Sequence, residues 1–207
     1  GPVVAERADI IDRNGLILAT SLPTASLFAD PSFVPDAEEA ADKLVRVLPG
    51  LDRAQVLAKL KAKGRFVWLR RNLTRNQQYA VNRLGIPGFA FQRGERRVYP
   101  HGRDAAHVLG YTDVDGRGIS GLESYFDTAL KSGEQALRLS IDLRIQSVVR
   151  QEIMAAMVEF RAKGAAGVVM NVNTGEVLAM VSLPDFDPNM PTTARGEPGF
   201  NRAAKGI

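Results

Sequence analysis

The sequence predicts an α+β fold with small antiparallel sheets and several short helices. Two turn signals, Asn14-Gly15 and Asn173-Thr174-Gly175, each separate a pair of apolar stretches, which is the pattern of a β-hairpin. Several amphipathic stretches follow a short polar residue of the kind that caps a helix N-terminus. One of them, which begins at Asp142, has a long apolar face and predicts the clearest helix.

The first half of the chain predicts one hairpin, three helices and two extended segments. Residues 7–20 form the hairpin, because Asn14 and Gly15 both tolerate positive φ. The three helices have Asp or Thr at the N-cap position, and their predicted bounds are 36–49, 52–64 and 74–84. The extended segments are "RFVWLRR" and "GFAFQRGERRVYP", the second of which alternates apolar and polar residues.

The second half predicts a short helix over residues 105–109 and a second helix that ends before Gly133. Ser120 and Glu123 have the spacing of a capping box and predict the start of the second helix. Residues 135–142, "QALRLSID", alternate in polarity and predict a half-buried strand. The helix that Asp142 caps is expected to end at Lys163-Gly164, and its apolar face consists of Ile145, Val149, Ile153, Met157 and Phe160.

Two more specific expectations concern the strands. Residues 9–12 and 136–141 are predicted to lie in one antiparallel sheet, because the two ends of a module often lie close together. Gly15 is predicted to have positive φ. The hairpin over residues 167–182 is expected to present an edge that promotes self-association, together with the apolar face of the preceding helix.

Composition excludes several kinds of site. The chain has 207 residues, a net charge of +4, no cysteine and two histidines, so disulfides, thiolate metal sites and a histidine metal cage are not expected. No cofactor motif is present. No apolar run is long enough to span a bilayer, and Gly1-Pro2 resembles the remnant of a removed tag.

No nucleophile motif stands out. None of the serines has a lysine three residues on, and Thr128 with Lys131 is a poor match because its hydroxyl is hindered. Lys131-Ser132-Gly133 is interpreted as the end of a helix. His107 is interpreted as a core or capping residue, and Asp12-Arg13 as a pair that stabilises the adjacent turn.

Arginine and aromatic residues alternate over residues 65–75 and 89–103. Such mixtures form stacking platforms for single-stranded nucleic acid, so a module that binds nucleic acid or another anionic polymer is an alternative hypothesis. A solvated basic face over core aromatics is the favoured interpretation, because no recognised nucleic-acid motif accompanies the arginines.

An ordered set of short motifs resembles the class B penicillin-binding proteins. The motifs are "RADIIDRNGLILA" (7–19), "RRVYP" (96–100), "AHVLGY" (106–111), "GISGLESYFDTALKSG" (118–133), "LSIDLRIQ" (139–146), "TGEVLAMVSLPDFDPN" (174–189) and "NRA" (201–203). All occur in the family's order, and Ala8 stands where the family usually has glycine. The spellings resemble the division-specific branch more than the elongation branch.

The resemblance implies a two-part organisation. Residues 1–140 would be the N-terminal pedestal, or dimerisation module, and residues 141–207 the start of a transpeptidase domain before its Ser-x-x-Lys nucleophile. This piece would be inert, while its parent would be a D,D-transpeptidase on the periplasmic face of the inner membrane. The implied partners are a membrane glycan polymerase and division-complex proteins; no nucleic acid is expected. The resemblance assigns structural roles to Arg7, Asp12, Arg13, Asn14, Gly15, Arg97, Tyr99, Pro100, His107, Gly110, Gly121, Glu123, Asp142, Gly175, Pro188 and Asn189.

Overall fold

The α+β prediction is confirmed by a computed structural model, which describes residues 6–205. The predicted tag remnant at Gly1-Pro2 lies outside these residues. The described chain divides into two compact units. Unit 1 comprises the residues up to Ser21 and those from Arg97 onward, and unit 2 comprises Leu22–Arg96.

The strands are β1 (Ile10–Ile11), β2 (Ile17–Ala29), β3 (Val67–Leu73), β4 (Phe89–Val98), β5 (Leu137–Arg138), β6 (Ala165–Met170) and β7 (Val177–Leu183). The helices are α1 (Ala37–Val47), α2 (Arg53–Leu60), α3 (Arg75–Asn82), α4 (Ala106–Leu109), α5 (Gly121–Tyr125), α6 (Asp127–Ser132), α7 (Leu143–Glu159) and α8 (Arg202–Lys205). Short 3₁₀ turns occupy Pro31–Phe33, Pro191–Ala194 and Glu197–Gly199.

Unit 2 packs three capped helices against a sheet. The end of β2 pairs with β3 in antiparallel fashion, and β4 also pairs with β2. The predicted caps of the helices are present: the side chains of Asp36, Asp52 and Thr74 accept hydrogen bonds from main-chain N–H groups three residues on. The largest fully buried side chains of this core are Leu27, Leu44, Leu48 and Leu73.

In unit 1 the first hairpin forms as predicted, but one strand direction differs. β1 pairs with the start of β2 in antiparallel fashion, and Gly15 in the turn has φ of +88°. β1 and β5 lie in one sheet, as expected, but they are parallel. The antiparallel prediction was wrong because proximity of two chain ends does not specify the direction of either strand.

The helix predicted from Ser120 to Gly133 differs in two respects. It is divided at Phe126 into α5 and α6. Ser120 occupies the N-cap position, but its side chain makes no capping hydrogen bond, and the predicted capping box is wrong. The carboxylate of Glu123 is fully buried among arginines and is not available to the N-cap residue. The helix end at Gly133 is confirmed, with φ of +68°.

The long helix α7 is followed by the β6–β7 hairpin, as predicted. Asp142 caps α7, which ends at Glu159, four residues before the expected Lys163. Phe160, predicted to belong to the apolar face, is the C-cap residue of α7 and is 75% exposed. Self-association through α7 and this hairpin stays a prediction.

Candidate functional site

A buried carboxylate joins three segments of unit 1. Oε2 of Glu123 accepts a hydrogen bond from Nε of Arg7 at 2.7 Å, and Oε1 accepts one from Nε of Arg97 at 2.7 Å. The side chain of Glu123 is 0% exposed and those of the two arginines at most 5%. Charges so far from water persist only when they are paired. These three residues, the Glu123 cluster, therefore tie the chain start, the end of β4 and α5 together.

Asp127 supplies a second acid to the cluster. Its Oδ1 accepts hydrogen bonds from Nη1 of Arg7 and the main-chain N–H of Gly118, both at 2.8 Å. Its Oδ2 pairs with Lys131 at 2.8 Å. Burial raises the pKa of Asp127, but the hydrogen bonds from Lys131, Gly118 and Arg7 outweigh it and lower the pKa to about 2.

The lowered pKa of the Asp127 carboxyl group predicts that the free energy of unfolding depends on pH. The folded state holds this proton more weakly than the unfolded chain, so the contribution is present at neutral pH and is lost as pH falls from about 4 toward 2. We expect Asp127→Asn to lower the free energy of unfolding by about 1–2 kcal/mol at pH 7 and by much less near pH 2. Urea unfolding at both pH values measures this, with the exposed Asp113→Asn as control. An equal loss at both pH values would contradict the assignment.

Tyr99 completes the cluster as a neutral hydrogen-bonding group. Its hydroxyl donates to Oε1 of Glu123 at 3.3 Å and accepts from the main-chain N–H of Thr112 at 3.1 Å. Burial, and next the negative charge of Glu123, raise the pKa of Tyr99 far above its usual value. The side-chain amide of Asn189 holds the main chain of Tyr99 through two hydrogen bonds of 3.0 Å, one from Nδ2 to the carbonyl and one from the N–H to Oδ1.

Two glycines permit close backbone contact beside the cluster. A Cβ atom at Gly110 would lie 1.9 Å from the carbonyl oxygen of Ser120, and one at Gly121 would lie 2.5 Å from the nitrogen of Gly110. Both residues have positive φ. Any larger residue would separate the end of α4 from the start of α5, which carries Glu123.

The turn of the first hairpin is bound to the start of α7. Asp12 is fully buried. Its Oδ1 accepts hydrogen bonds from the main-chain N–H groups of Asn14 at 2.7 Å and Leu16 at 2.9 Å. Its Oδ2 accepts one from the main-chain N–H of Leu143 at 3.2 Å. The amide of Asn14 donates to Asp12 at 3.2 Å and to Asp142 at 3.1 Å. Leu143 is the first residue of α7, so two carboxylates lie at its N-terminus, where the helix dipole favours negative charge.

Hydrogen bonds keep both of these carboxyls ionised. Burial raises the pKa of Asp12, but the N–H groups of Leu16, Leu143 and Asn14 together lower it below its usual value. The guanidinium of Arg144 is the main cause that lowers the pKa of Asp142. Asp12 stabilises the turn as predicted, but Arg13 does not pair with it. The main-chain N–H of Arg13 donates to Ile141 at 2.9 Å, and its side chain lies 3.6 Å from Glu176.

The remaining motif residues have local roles. Nε2 of His107 lies 2.8 Å from the carbonyl of Pro198, and its ring packs edge-on against Phe186, which agrees with a core histidine. Burial lowers the pKa of His107. Pro100 is exposed in the turn after β4, Pro188 is buried, and Gly175 has φ of +76° at the β6–β7 turn.

Sequence reasoning missed Gln146, which is only 1% exposed on α7. Its Oε1 accepts the N–H of Met180 at 2.8 Å, and its Nε2 donates to the carbonyls of Met180 at 2.8 Å and Asp104 at 2.7 Å. It lies three residues after the buried Leu143, so a polar residue on the buried side of α7 was the available signal. Sequence reasoning also missed Asp185. Its carboxylate accepts hydrogen bonds from the side chains of Arg150 at 2.6 Å and Arg103 at 3.2 Å.

The hydrogen bonds of these clusters join separate segments of the fold. Over residues 6–205, no serine or threonine hydroxyl is hydrogen-bonded to a lysine or histidine side chain. No group of three or more possible metal ligands occurs in this range either. No described helix is both long and apolar enough to cross a membrane.

Comparison with known sequences matches residues 2–148 to the family described as the penicillin-binding protein dimerisation domain. The chain is similar to the probable peptidoglycan D,D-transpeptidase FtsI of Caulobacter vibrioides, with 40% identity over 99% of this chain and 35% of that protein. It is 34% identical to the peptidoglycan D,D-transpeptidase FtsI of Escherichia coli K12, over 90% of this chain and 37% of that protein. The chain thus spans little more than a third of the length of these relatives.

Comparison with solved structures gives the same fold. The structure is similar to that of penicillin binding protein 2X from Streptococcus thermophilus, with a TM-score of 0.64. The similarity covers 95% of this chain and 37% of that chain, at 23% sequence identity. At this identity the likeness supports the fold class predicted from the sequence.

Proposed function

The chain belongs to the penicillin-binding protein dimerisation-domain family, in the class B, division-specific type, and from this premise we propose that it is the non-catalytic N-terminal module of a membrane-anchored peptidoglycan transpeptidase. Residues 1–140 form the pedestal, and residues 141–207 begin the transpeptidase domain. The pedestal positions the catalytic domain above the bilayer on the periplasmic side and binds partner proteins, among them division-complex proteins and a membrane glycan polymerase.

The observation that carries this proposal is the link between the first hairpin and α7. Asp12 in the hairpin turn accepts the N–H of Leu143, and Asn14 donates to Asp142, the cap of the same helix. The resemblance assigns α7 to the transpeptidase domain and the turn to the pedestal. Buried, charged hydrogen bonds are directional, so this link supports a pedestal that fixes the orientation of the first catalytic-domain helix.

We expect the 207-residue chain not to be acylated by a fluorescent penicillin, because the reaction needs a serine activated by a nearby base. The measurement is a boiling-resistant adduct on a denaturing gel, confirmed by mass spectrometry. The full-length Caulobacter vibrioides relative, as an equimolar positive control, is expected to be labelled. A stoichiometric adduct on a serine of the 207-residue chain would show that the chain is itself an acyl-accepting enzyme.

The alternative function is binding of nucleic acid or another anionic polymer. It rests on the arginine and aromatic residues of the stretches 65–75 and 89–103, in which the guanidinium of Arg71 lies 4.9 Å from the ring of Trp68. Electrostatic binding to DNA weakens steeply as salt rises. Salt-dependent retardation of DNA on a gel at near-physiological ionic strength would favour this alternative over the pedestal role.

A further inference from the structure

Three aromatic rings of unit 2 form one partly exposed cluster beside the β2–β3 pair. Phe28 of β2 stacks on Phe66 with ring centroids 4.9 Å apart, and Trp68 of β3 meets Phe66 edge-on at 4.9 Å. Phe28 and Trp68 lie opposite each other in the strand register. Phe66 is 49% exposed, and the other two rings are half-buried. The unit's buried core lies elsewhere, around Leu27, Leu69 and Leu73.

Cations border this cluster. The guanidinium of Arg71 lies 4.9 Å from the ring of Trp68, a cation–π distance. Arg65 adjoins Phe66 in sequence and pairs with Asp30, two residues beyond Phe28. Residues 59–96 contain ten lysines and arginines but only one acidic residue, Glu95. Phe66 and Trp68 therefore lie in a strongly positive stretch of the chain, whose field favours an acidic partner.

The arrangement suits a protein partner better than a nucleic acid. Base stacking needs ring faces that are open to the nucleobase. Here Phe28 and Phe66 already use a face on each other, and Arg71 covers a face of Trp68. A preassembled apolar patch of Trp and Phe with an arginine rim has the composition of protein–protein hot spots.

We infer that Phe28, Phe66, Trp68, Arg65 and Arg71, the aromatic–arginine surface, bind an acidic segment of another protein that carries apolar side chains between its carboxylates. Apolar side chains of the segment cover the rings, and its carboxylates pair with the arginines. The inference rests on the proposed role of the chain as a partner-binding module and names the chemistry of one partner.

Trp68 is the only tryptophan in the chain, so its fluorescence reports on this surface alone. The probe is a fluorescein-labelled peptide with three repeats of Glu-Leu-Asp-Phe. Its anisotropy is expected to rise saturably as the protein is added. The unlabelled peptide is expected to shift the emission of Trp68 to shorter wavelength, because the indole leaves water.

Two variants locate the binding. Phe66→Ala and Arg71→Glu are each expected to weaken binding of the peptide by about tenfold or more. The matched controls are Tyr79→Ala and Arg83→Glu, which alter a second aromatic–arginine pair, on α3 and its C-cap residue. They are expected to change binding by less than about twofold. Circular dichroism confirms that all four variants fold.

Two further ligands test whether binding needs the apolar side chains of the peptide or only its negative charge. A peptide with three repeats of Glu-Ser-Asp-Ser keeps the charge and loses the apolar groups, and a single-stranded oligonucleotide tests the anionic-polymer alternative. Binding of either as tightly as the apolar peptide, no binding of the apolar peptide, or equal losses in the control variants would overturn the inference. None of these outcomes affects penicillin labelling, so the proposed non-catalytic role is judged separately.

Discussion

Replacing Glu123 with glutamine is expected to lower the free energy of unfolding by about 3–5 kcal/mol. The substitution keeps the shape of the side chain but removes the carboxylate that pairs with both Arg7 and Arg97. The side chain of Arg97 is 3% exposed, so its guanidinium cannot recover hydration without local unfolding. An uncompensated buried charge is one of the few causes of so large a loss.

Glu38→Gln is the matched control. Glu38 also pairs with two cations, Arg53 at 3.0 Å and Lys61 at 2.6 Å, but all three side chains are about half exposed. Water and salt screen such pairs, so the control is expected to be nearly neutral. Urea unfolding followed by far-ultraviolet circular dichroism measures both variants. If both variants lose a similar amount of free energy of unfolding, burial does not make the ion pairs of Glu123 more important for stability than the exposed pairs of Glu38.

Features that depend on neighbouring residues could be predicted from the sequence. The caps at Asp36, Asp52 and Thr74 each need an N–H group three residues away, and the Gly15 turn needs only positive φ. Such local preferences can be recognised directly from the amino-acid sequence. The same reasoning failed at Glu123, where the spacing from Ser120 indicated a capping box and the carboxylate instead pairs with Arg7, 116 residues away.

Features that depend on tertiary packing could not be predicted in this way. The motif resemblance singled out Arg7, Arg97 and Glu123 separately, and only the fold shows that they are one ion cluster. The direction of β5 relative to β1 depends on the path of the intervening chain, which local periodicity does not contain. Adjacency in sequence suggests a pair of Asp12 and Arg13, but the side chain of Arg13 lies 3.6 Å from Glu176, 163 residues along the chain, a contact that only the fold creates.

Gly110→Ala is expected to destabilise the fold by about 3–5 kcal/mol, from backbone strain and overcrowding together. Gly110 has φ of +73° and ψ of −149°, a region that essentially only glycine occupies. The added Cβ would also lie 1.9 Å from the oxygen and 2.2 Å from the carbon of the Ser120 carbonyl, which are backbone atoms and cannot rotate away. Relief of this clash requires α5 to move, and Glu123 of the Glu123 cluster would move with it.

Gly102→Ala separates the two causes, because Gly102 also has positive φ, at +53°, but an added Cβ would meet nothing within 4 Å. Its expected cost is about 1 kcal/mol, from backbone conformation alone. Because relief at Gly110 displaces Glu123, Gly110→Ala combined with Glu123→Gln should cost less than the sum of the two single changes. Urea unfolding of the four proteins completes this cycle. A cost at Gly110 no larger than at Gly102, or strict additivity with Glu123→Gln, would show that the close contact between α4 and α5 does not support the ion cluster.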